Sequence, residues 1–472
     1  MNAIKTLVTG LFLLSLTATG AAKPPNIVFL FTDDQRFDSF GALGNPDVKT
    51  PKMDSLIERG TLFTQAYIQG SMVGMTCLPS RAMIMSGKSL FRAPMQLDTG
   101  LLLPQALRQG GYKTFATGKW HNGRESFLNC FDEAEAVFLG GAAGSHVNVP
   151  LNYRKGEEMV PYQVLGIHAS VLFADATIEY LKAQQGTKQP FFCYVPFTAP
   201  HSPHTPPGDF ATMYNPKELT LPPNHPSANP LTTTAPQRRG RNRDPKTSLA
   251  AYYGMVSHLD EQVGRILDAI DTYGHRDDTI ILLATDHGFS LGSHGEHGKA
   301  NGYEHGSRSI MSFSGPGIPQ GKRTPAFAYL LDIYPTLCEL AHLPIPEDPE
   351  GMSLARVIHG KHGHERDTLF TAFMADQRTI RDARWKLFSR LNGGGLQLFD
   401  LLNDPHELND RSSDSRSAPI IEQLQAKLEL ARIEAGDTPA RVSDMMRNQR
   451  GRRGQRSRGA GPTGRGPSRQ RP

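Results

Sequence analysis

The sequence predicts an α/β fold: a large mixed, mostly parallel sheet sandwiched by helices, followed by a small C-terminal antiparallel sheet and a helix. Residues 26–31 and 279–285 are short, continuous apolar runs, as expected for strands that are buried on both faces. Such runs end in polar residues and are followed by a loop and a helical pattern, and this unit recurs at least four times. The recurrence indicates a parallel sheet with helices on both faces.

Apolar spacing and turn residues assign the other elements of the main domain, residues 23–365. The segment 50–60 has Pro51 in its first turn and Gly60 at its end, which is typical of a helix. Further helices are predicted over residues 101–109, within 164–184, over 249–273 and over 329–337, and further strands over 61–67, 112–117 and 190–197. The stretch 206–246 is rich in Pro, Asn, Thr and Arg and is predicted to be a long surface loop.

A C-terminal subdomain is predicted over residues 366–440, with short strands at 379–381, 385–389 and 396–400 and a helix at 418–434. Residues 441–472 are rich in Arg and Gly, and we expect a disordered tail. The tail holds ten Arg and one Asp, so the rest of the chain has 41 basic and 45 acidic residues, although the whole chain carries +5. The basicity therefore does not indicate a specific nucleic-acid partner. A solvated tail is favoured over one that binds acidic polysaccharide, nucleic acid or membrane.

The first 22 residues predict an exported protein. Lys5 precedes an apolar run over residues 7–16, and small residues over 17–22 offer a cleavage site, as in a secretory signal peptide. The run is too short to span a bilayer, and no later segment has the necessary length. An uncleaved N-terminal anchor is the alternative. We expect a periplasmic or extracellular location and no membrane span.

Cysteine usage leaves room for at most one disulfide. Exported chains usually pair their cysteines, and this chain has four: Cys77, Cys130, Cys193 and Cys338. If Cys77 is reserved for chemistry, three remain. Cys193 lies in a strand pattern and Cys338 in a helical one, so both are expected in the core.

Polar residues collect where the predicted parallel strands end, and the stretch around Cys77 follows another strand. Pro79 disfavours a helical conformation at Leu78, which puts Cys77 in a turn just before a helix. The C-terminal ends of parallel strands share one edge of a sheet, where ligands collect in open α/β folds. We therefore expect one set of residues to converge at this edge: Asp33, Asp34, Cys77, Arg81, Lys119, His121, His201, Asp286, His287 and Lys299.

The chemistry of this set is that of a metal site beside an oxyanion site. Three carboxylates with further oxygen or nitrogen donors suit a hard divalent cation. The lysines, the arginine and the histidines suit a tetrahedral oxyanion, because they neutralise charge that develops during an in-line displacement. From the residues alone, the alternatives are a helix cap for the Asp pair and a core role for Cys77.

At this point the residues resemble a known family. Residues 77–81, Cys-Leu-Pro-Ser-Arg, resemble the C-x-P-S-R signature of type I sulfatases, within the alkaline-phosphatase-like superfamily. Ile84, residues 86–87 and Lys88 depart mildly from the longer pattern, which has Leu, Thr-Gly and Arg there. Four later stretches resemble further segments of the family in the same order: 111–121, 199–203, 286–304 and 398–405. The resemblance runs from about residue 26 to residue 410.

The resemblance implies an alkaline-phosphatase-like fold and a sulfuric ester hydrolase that acts on a sulfated glycan or small molecule. A maturation enzyme would oxidise Cys77 to formylglycine, whose hydrate attacks sulfur and expels the alcohol. The second geminal hydroxyl then releases the sulfate. The family's metal is Ca²⁺, and its ligands beside the formylglycine would be Asp33, Asp34, Asp286 and His287.

The resemblance also implies a role for each remaining residue of the set. Arg81 would steady the hydrate, and Lys119 and Lys299 would bind the sulfate oxygens. His121 would assist the nucleophile. His201 would contact the sulfate, with proton donation to the leaving oxygen as a further task.

One position departs from the commonest family pattern, and several readings stay open. His287 stands where Asn is frequent, although Asp-His also occurs in iduronate-sulfatase-like and phosphonate-hydrolase-like branches. A histidine that only holds Asp286 is the alternative to a ligand. Three further histidines are interpreted as loop residues that line the substrate pocket: His294, His297 and His305. A phosphonate or phosphodiester hydrolase is the alternative enzyme, and a non-catalytic glycan-binding protein is the alternative outside enzymes. The sugar and the oligomeric state stay open.

Overall fold

The structure, a computed structural model, describes residues 23–227, 244–361, 366–391, 393–445 and 447. The predicted signal peptide (residues 1–22), residues 228–243 of the predicted loop and the tail from residue 448 lie outside the described residues. The strands are β1 (Asn26–Asp33), β2 (Gly60–Tyr67), β3 (Gly70–Ser71), β4 (Lys113–Lys119), β5 (Glu133–Phe138), β6 (Pro150–Lys155), β7 (Glu158–Gln163), β8 (Phe191–Pro200), β9 (Thr279–Thr285), β10 (Arg308–Ser314), β11 (Lys322–Tyr329), β12 (Leu369–Phe373), β13 (Gln377–Arg381), β14 (Trp385–Arg390) and β15 (Gly395–Asp400). The helices are α1 (Pro51–Glu58), α2 (Cys77–Ser86), α3 (Leu103–Gln109), α4 (Arg124–Cys130), α5 (Ala169–Ala183), α6 (Pro245–Thr272), α7 (Glu304–Ser307), α8 (Ile333–Leu340), α9 (Ala355–Ile358) and α10 (Ala418–Ala435).

Ten strands form the large sheet, in the order β11-β2-β10-β9-β1-β8-β4-β5-β6-β7. Five adjacent strands of this sheet, β9, β1, β8, β4 and β5, run parallel to one another. Phe29 of β1 pairs with Tyr194 of β8 on one side and with Leu282 of β9 on the other. The antiparallel members are β10, between β9 and β2, and β6, between β5 and β7. The predicted mixed, mostly parallel sheet is confirmed.

Helices cover both faces of this sheet, which explains why the central strands are apolar without interruption. Along β1, Ile27, Phe29 and Phe31 face one buried apolar cluster, and Val28 and Leu30 face the other, because successive side chains of a strand point to opposite faces. Helices α2, α3, α4 and α8 contribute to the first cluster, and α1, α5 and α6 to the second.

The second sheet has five strands, in the order β15-β14-β13-β12-β3. Strands β12 to β15 form the predicted antiparallel arrangement, with α10 packed against β13 and β14. The fifth strand, β3, comes from the segment just before Cys77 and runs parallel to β12, with Gly70 opposite Ala372. The small sheet therefore contacts the stretch that leads into α2.

The start of α2 differs from the prediction. Cys77 is the first residue of the helix, and Leu78 and Pro79 are helical rather than extended. The first backbone hydrogen bond of the helix runs from the amide of Ser80 to the carbonyl of Thr76. Pro79 thus stands in the first turn, where the missing N–H has no intrahelical acceptor to lose. The proline does not push Cys77 out of the helix.

Other differences concern element ends and peripheral strands. The segment predicted as a helix over residues 329–337 begins as the last residue of β11, and α8 starts at Ile333. Residues 439–445 are helical where a disordered tail is predicted from residue 441, because Val442 packs into the core. The sequence predicts no strand at the positions of β3, β5, β6, β7, β10, β11 and β12.

All four cysteines are buried free thiols. Cys193 and Cys338 lie in the core as predicted, with 0% exposure each. No helix among the described residues is long and apolar enough to cross a membrane.

Candidate active site

The ends of β1 and β9, which are neighbours in the sheet, hold the carboxylates together. Asp33 is the last residue of β1, and Asp34 follows it with a left-handed φ of 62°. The amide of Asp34 donates to Oδ1 of Asp286 at 3.0 Å, and the amide of Asp286 donates to the carbonyl of Thr32 at 3.0 Å. A backbone in the left-handed region is costly for a non-glycine residue and often marks a functional site.

The thiol of Cys77 lies in the middle of the polar set. Its Sγ is 3.3 Å from Oδ1 of Asp33, 3.3 Å from Nε2 of His287 and 2.8 Å from Nζ of Lys299. Ser80, one turn later, donates its hydroxyl to the carbonyl of Asp286 at 2.6 Å. The helix that begins at Cys77 is therefore tied to the end of β9. Burial and the Asp33 carboxylate raise the pKa of the Cys77 thiol well above its usual value.

Arg81 and Lys119 neutralise Asp33 from the other side. Nη2 of Arg81 donates to Oδ2 of Asp33 at 3.1 Å, and Nζ of Lys119 donates to the same oxygen. Burial alone raises the pKa of Asp33, but Lys119, His201, Arg81 and Lys299 outweigh it and hold that pKa well below the usual value. Asp33, Arg81 and Lys119 are buried charges, so each depends on the others.

Gly118 allows β4 to deliver Lys119 to this place. It has φ of 78°, and a Cβ on it would lie 2.0 Å from the carbonyl oxygen of Pro196 in β8. The pairing of β4 with β5 shifts register between Ala116 and Gly118. Only glycine fits such a close approach at a positive φ.

His287 is oriented as a ligand would be. Its Nδ1 is 2.8 Å from the carbonyl oxygen of Gly288, so Nδ1 carries the hydrogen. In the neutral ring Nε2 then has a free lone pair, and this atom is 3.4 Å from Oδ1 of Asp34 and 3.4 Å from Oδ1 of Asp286. Burial lowers the pKa of His287. The backbone contact fixes the ring as it does for many metal-bound histidines.

The donor set fits a hard cation. The potential ligand atoms of Asp33, Cys77, Asp286 and His287 lie within 4.8 Å of one another, and so do those of a second group in which Asp34 and His201 join Asp33 and Cys77. Oδ2 of Asp286 is buried without a hydrogen-bond partner. Burial and the neighbouring Asp33 raise the pKa of Asp286. The cation nearest to this Oδ2 is Nη2 of Arg81, at 3.8 Å, so a divalent cation could bind this buried oxygen without displacing a hydrogen bond.

The two predicted catalytic histidines flank the set. His121 is 3% exposed, has φ of 77°, and its Nδ1 has no hydrogen-bond partner. Burial, with Lys119 and Arg81 nearby, holds the pKa of His121 well below its usual value. His201 follows β8; its Nε2 is 3.7 Å from Oδ2 of Asp34, and its side chain is 16% exposed. It therefore lies on the open side of the site.

The structure brings the predicted residues together. Nine of them are joined by hydrogen bonds or by polar contacts shorter than 4.0 Å: Asp33, Asp34, Cys77, Arg81, Lys119, His201, Asp286, His287 and Lys299. His121 joins them through electrostatic interaction with Lys119, Arg81 and Asp33.

Sequence reasoning missed two tyrosines that support the site. The hydroxyl of Tyr252, on α6, donates to the carbonyl of Asp34 at 2.9 Å and accepts from the amide of Arg36 at 2.8 Å. The hydroxyl of Tyr194, on β8, is 3.4 Å from Nη1 of Arg81. Both tyrosines stand in apolar patterns typical of the core, so no signal in the sequence separates them from packing residues.

The prediction that His294 and His305 line the substrate pocket is wrong. Both are 2% exposed, and their rings stack with Tyr303 beneath the small sheet. Tyr303 packs in turn on Phe388 and Phe399 of the small sheet, so the C-terminal strands cover these two histidines. His297 is exposed.

His294 and His305 also lie near Glu407, and the potential ligand atoms of the three are within 4.8 Å of one another. Oε1 of Glu407 accepts from Nζ of Lys386 at 2.7 Å, and Oε2 accepts from the amide of Glu304 at 2.8 Å. The buried ammonium of Lys386 already supplies the positive charge that a cation would bring. The cluster therefore joins the two sheets rather than forming a second metal centre.

Comparison with known proteins agrees with this geometry. The model of the sulfatase family matches residues 25–343, more than half of the chain, and that of the C-terminal region of N-sulphoglucosamine sulphohydrolase matches residues 292–434. An arylsulfatase of Clostridium perfringens is 27% identical, over 88% of this chain and 96% of its own. An N-acetylgalactosamine-6-sulfatase of Rattus norvegicus is 26% identical, over 74% of this chain and 66% of its own.

Solved structures share the fold. A protein solved with its substrate D-glucosamine-2-N,6-O-disulfate has a TM-score of 0.75 and 21% identity, over 89% of this chain and 99% of its own. The phosphonate monoester hydrolase of Agrobacterium radiobacter has a TM-score of 0.70 and 23% identity, over 87% of this chain and 96% of its own. With a cysteine beside carboxylates at the strand ends and a matching family model over most of the described fold, the chain belongs to the sulfatase family, in its type I, cysteine-bearing form, and is a sulfuric ester hydrolase.

Proposed function

We propose that the protein is an exported sulfatase that hydrolyses a sulfate ester on a carbohydrate, with a formylglycine made from Cys77 and one bound Ca²⁺. The observation that carries the proposal is the place of Cys77, at a helix start between carboxylates on one side and Lys299 on the other. A negatively charged ester can approach such a site only where cations and a metal offset the carboxylates.

Sγ of Cys77 stands where an oxygen of the formylglycine hydrate would lie. That hydrate would supply an oxygen nucleophile and a second hydroxyl for release of the sulfate. The raised pKa of the buried thiol supports this proposal, because a thiol that resists ionisation is a poor nucleophile itself. Oxidation by a maturation enzyme would be the step that activates the residue.

Four side chains would hold the Ca²⁺: Asp33, Asp34, Asp286 and His287. The ion would add positive charge beside the reacting oxygens. Oδ2 of Asp286, which accepts no hydrogen bond, and the lone pair on Nε2 of His287 support this assignment. Oxygen-rich donor sets favour Ca²⁺ over softer metals.

The remaining residues would bind the sulfate and move protons. The ammonium groups of Lys119 and Lys299 would pair with sulfate oxygens, and Arg81, fixed on Asp33, would steady the nucleophile. The lowered pKa of His121 keeps its ring neutral, so one ring nitrogen can accept a hydrogen bond from the nucleophile. His201, on the open side, would give a proton to the leaving oxygen.

Hydrolysis of a sulfate ester, set against a phosphonate ester and a phosphodiester with the same nitrophenol leaving group, tests the activity. We expect the sulfate ester to be cleaved fastest. Cys77→Ala abolishes turnover, whereas Cys193→Ala, a substitution at another buried thiol, retains it. Preferred cleavage of the phosphonate would support the alternative hydrolase, and full activity of Cys77→Ala would support a non-catalytic cysteine. The mass of the peptide that contains Cys77, from the native host, tells formylglycine from an unmodified thiol.

The proposal also includes export of the protein and the class of its substrate. Cleavage near residue 22 would release the protein to the periplasm or the medium, and N-terminal sequencing of the secreted form tests this. A sulfated sugar as substrate is supported by the N-acetylgalactosamine-6-sulfatase relative. A panel of sulfated monosaccharides and oligosaccharides tests it against choline sulfate and aryl sulfates. The division at residue 365 into a catalytic domain and a C-terminal subdomain stays a prediction.

A further inference from the structure

His146 contacts the backbone of the segment that carries His201. It lies between β5 and β6, and it is 4% exposed. Its Nε2 is 2.6 Å from the carbonyl oxygen of His201, and its Nδ1 is 3.1 Å from Oγ1 of Thr198. Both ring nitrogens are therefore used, and both bonds end on the four-residue stretch 198–201.

The two contacts define the state of the ring. A carbonyl oxygen only accepts, so Nε2 of His146 carries the hydrogen. In the neutral ring Nδ1 then accepts from the hydroxyl of Thr198. Burial lowers the pKa of His146, in agreement with a neutral ring. A neutral imidazole that donates at one end and accepts at the other holds the turn at two points.

Neighbouring rings keep His146 in place. Its ring stacks on that of His168 at 5.2 Å between centroids and an angle of 13°, and His168 in turn meets His258 of α6 edge to face at 4.4 Å. The amide of Ala169, the first residue of α5, donates to the carbonyl of His146 at 2.7 Å. The residue is thus anchored to two helices, while its ring reaches the site.

The amide of His201 donates to the carbonyl of Thr198 at 3.1 Å, whereas the ring of His201 has few restraints. Its Nδ1 is 2.7 Å from the carbonyl of the adjacent Ser202, and its Nε2 is 3.7 Å from Oδ2 of Asp34, beyond hydrogen-bond distance. The orientation of its ring therefore depends on the backbone that His146 holds.

We propose that His146 is a positioning residue, which holds the carbonyl of His201 so that the His201 ring points at the leaving oxygen of the ester. The inference rests on the proposed role of His201 in the sulfatase reaction. A shift of about 1 Å in a proton donor is enough to lower its contribution strongly. His146 acts on the step that needs a proton and leaves the nucleophile untouched.

Leaving-group dependence tests the inference. In 4-nitrophenyl sulfate the phenolate leaves without a proton, whereas phenyl sulfate needs one. We expect His146→Leu to lower kcat for phenyl sulfate by about ten- to a hundredfold and that for 4-nitrophenyl sulfate by less than about threefold. His146→Gln, whose Nε2 can still reach the carbonyl of His201, restores most of the phenyl sulfate rate. His146→Asn, whose amide reaches only as far as Nδ1, does not.

Any other result overturns either the positioning role of His146 or the proposal on which it rests. Equal losses on both substrates, or equal behaviour of the Gln and Asn variants, overturn the positioning role and leave a packing role. If His201→Ala lowers both rates equally, His201 is not the proton donor, and the inference falls with that role. If the parent protein cleaves neither these two aryl sulfates nor any sulfated sugar, the proposed function fails. The crystal structure of His146→Leu then decides the positioning role alone, since an unmoved His201 ring overturns it.

Discussion

Substitution of Gly141 by alanine should lower activity by displacing His121. Gly141 lies between β5 and β6, and an ideal Cβ on it falls 2.2 Å from Nε2 and 2.5 Å from Cε1 of His121. Ordinary van der Waals contact begins at 3.4 Å, so the ring or the loop must move by about 1.2 Å. The ring has no room to swing outward, because His121 is 3% exposed. A displacement near 1 Å costs up to about a hundredfold in rate, or about 2.7 kcal/mol in the activation free energy.

The matched control is Gly144→Ala, in the same loop. A Cβ there meets no atom within 4 Å, and neither glycine has a positive φ, so both backbones accept alanine. We expect kcat/KM of Gly141→Ala on a sulfate ester to fall by about a hundredfold and that of Gly144→Ala to stay near the parent value. Gly144→Ala should unfold at the denaturant concentration of the parent or slightly above it, since Gly→Ala restricts the unfolded chain. Gly141→Ala should unfold at a lower concentration, because a buried ring must move to admit the methyl group.

Equal kcat/KM values for the two variants would refute the reasoning. The position of the His121 ring would then not limit the rate, and its assignment as the group that assists the nucleophile would be wrong. Unchanged stability of Gly141→Ala would also contradict the argument, because the methyl group would then fit without displacing the buried ring.

Three further predictions concern charge and stability. The pKa of Asp286 is raised, so the contribution of its carboxyl group to folding stability is present at low pH and lost as pH rises through that pKa. We therefore expect Asp286→Asn to stabilise the chelator-treated protein at pH 7. If Ca²⁺ binds as proposed, it raises the Tm of the parent and not that of Asp286→Asn, and an equal rise in both would contradict this. Burial raises the pKa of Asp260, on α6, to about 7. Its contribution to the free energy of unfolding is therefore complete below about pH 4 and lost as pH rises through about 7. Urea unfolding of Asp260→Asn should show a free energy of unfolding that changes less than that of the parent between about pH 4 and about pH 8, and an equal change in both would contradict this. Asp437→Asn should lower the free energy of unfolding by about 3–5 kcal/mol, because it leaves the buried guanidinium of Arg378 without the carboxylate that it contacts at 2.6 Å. The double variant Arg378→Met with Asp437→Leu leaves no unpaired charge and should lower it by less. A larger loss in the double variant would contradict the argument.

The sequence alone determined five of the ten strands of the large sheet, β1, β2, β4, β8 and β9, and the main members of the site. A strand buried on both faces must be apolar throughout, so residues 26–31 and 279–285 could be assigned without tertiary information. Parallel strands end at one edge, and that rule alone brings Asp33, Lys119 and Asp286 together. The stretch from Cys77 to Arg81 carried the family resemblance, since its chemistry depends on residue types at fixed spacing.

Tertiary structure decided which residues support those groups. His146 bonds to the backbone carbonyl of His201, and Tyr252 bonds to that of Asp34. Every residue has a backbone carbonyl, so the sequence does not indicate which one accepts such a bond. Gly141 matters through a distance to His121 that no sequence spacing encodes. The short strand β3 could not be predicted from the sequence either. Its two residues are too few to show a periodicity, and the strand that they pair with lies about three hundred residues later.

The same division explains the histidines that were assigned wrongly. The glycine-rich surroundings of His294 and His305 predict a loop, and a loop by itself lies on the surface. Only the docking of the small sheet decides that this loop is covered, with Glu407 and Lys386 placed against it. The sequence determines which residue types are present, the local conformation that neighbouring residues favour and the apolar pattern of a buried strand. Which chemical groups face each other across the fold depends on contacts between distant segments, and these contacts exist only once the chain has packed.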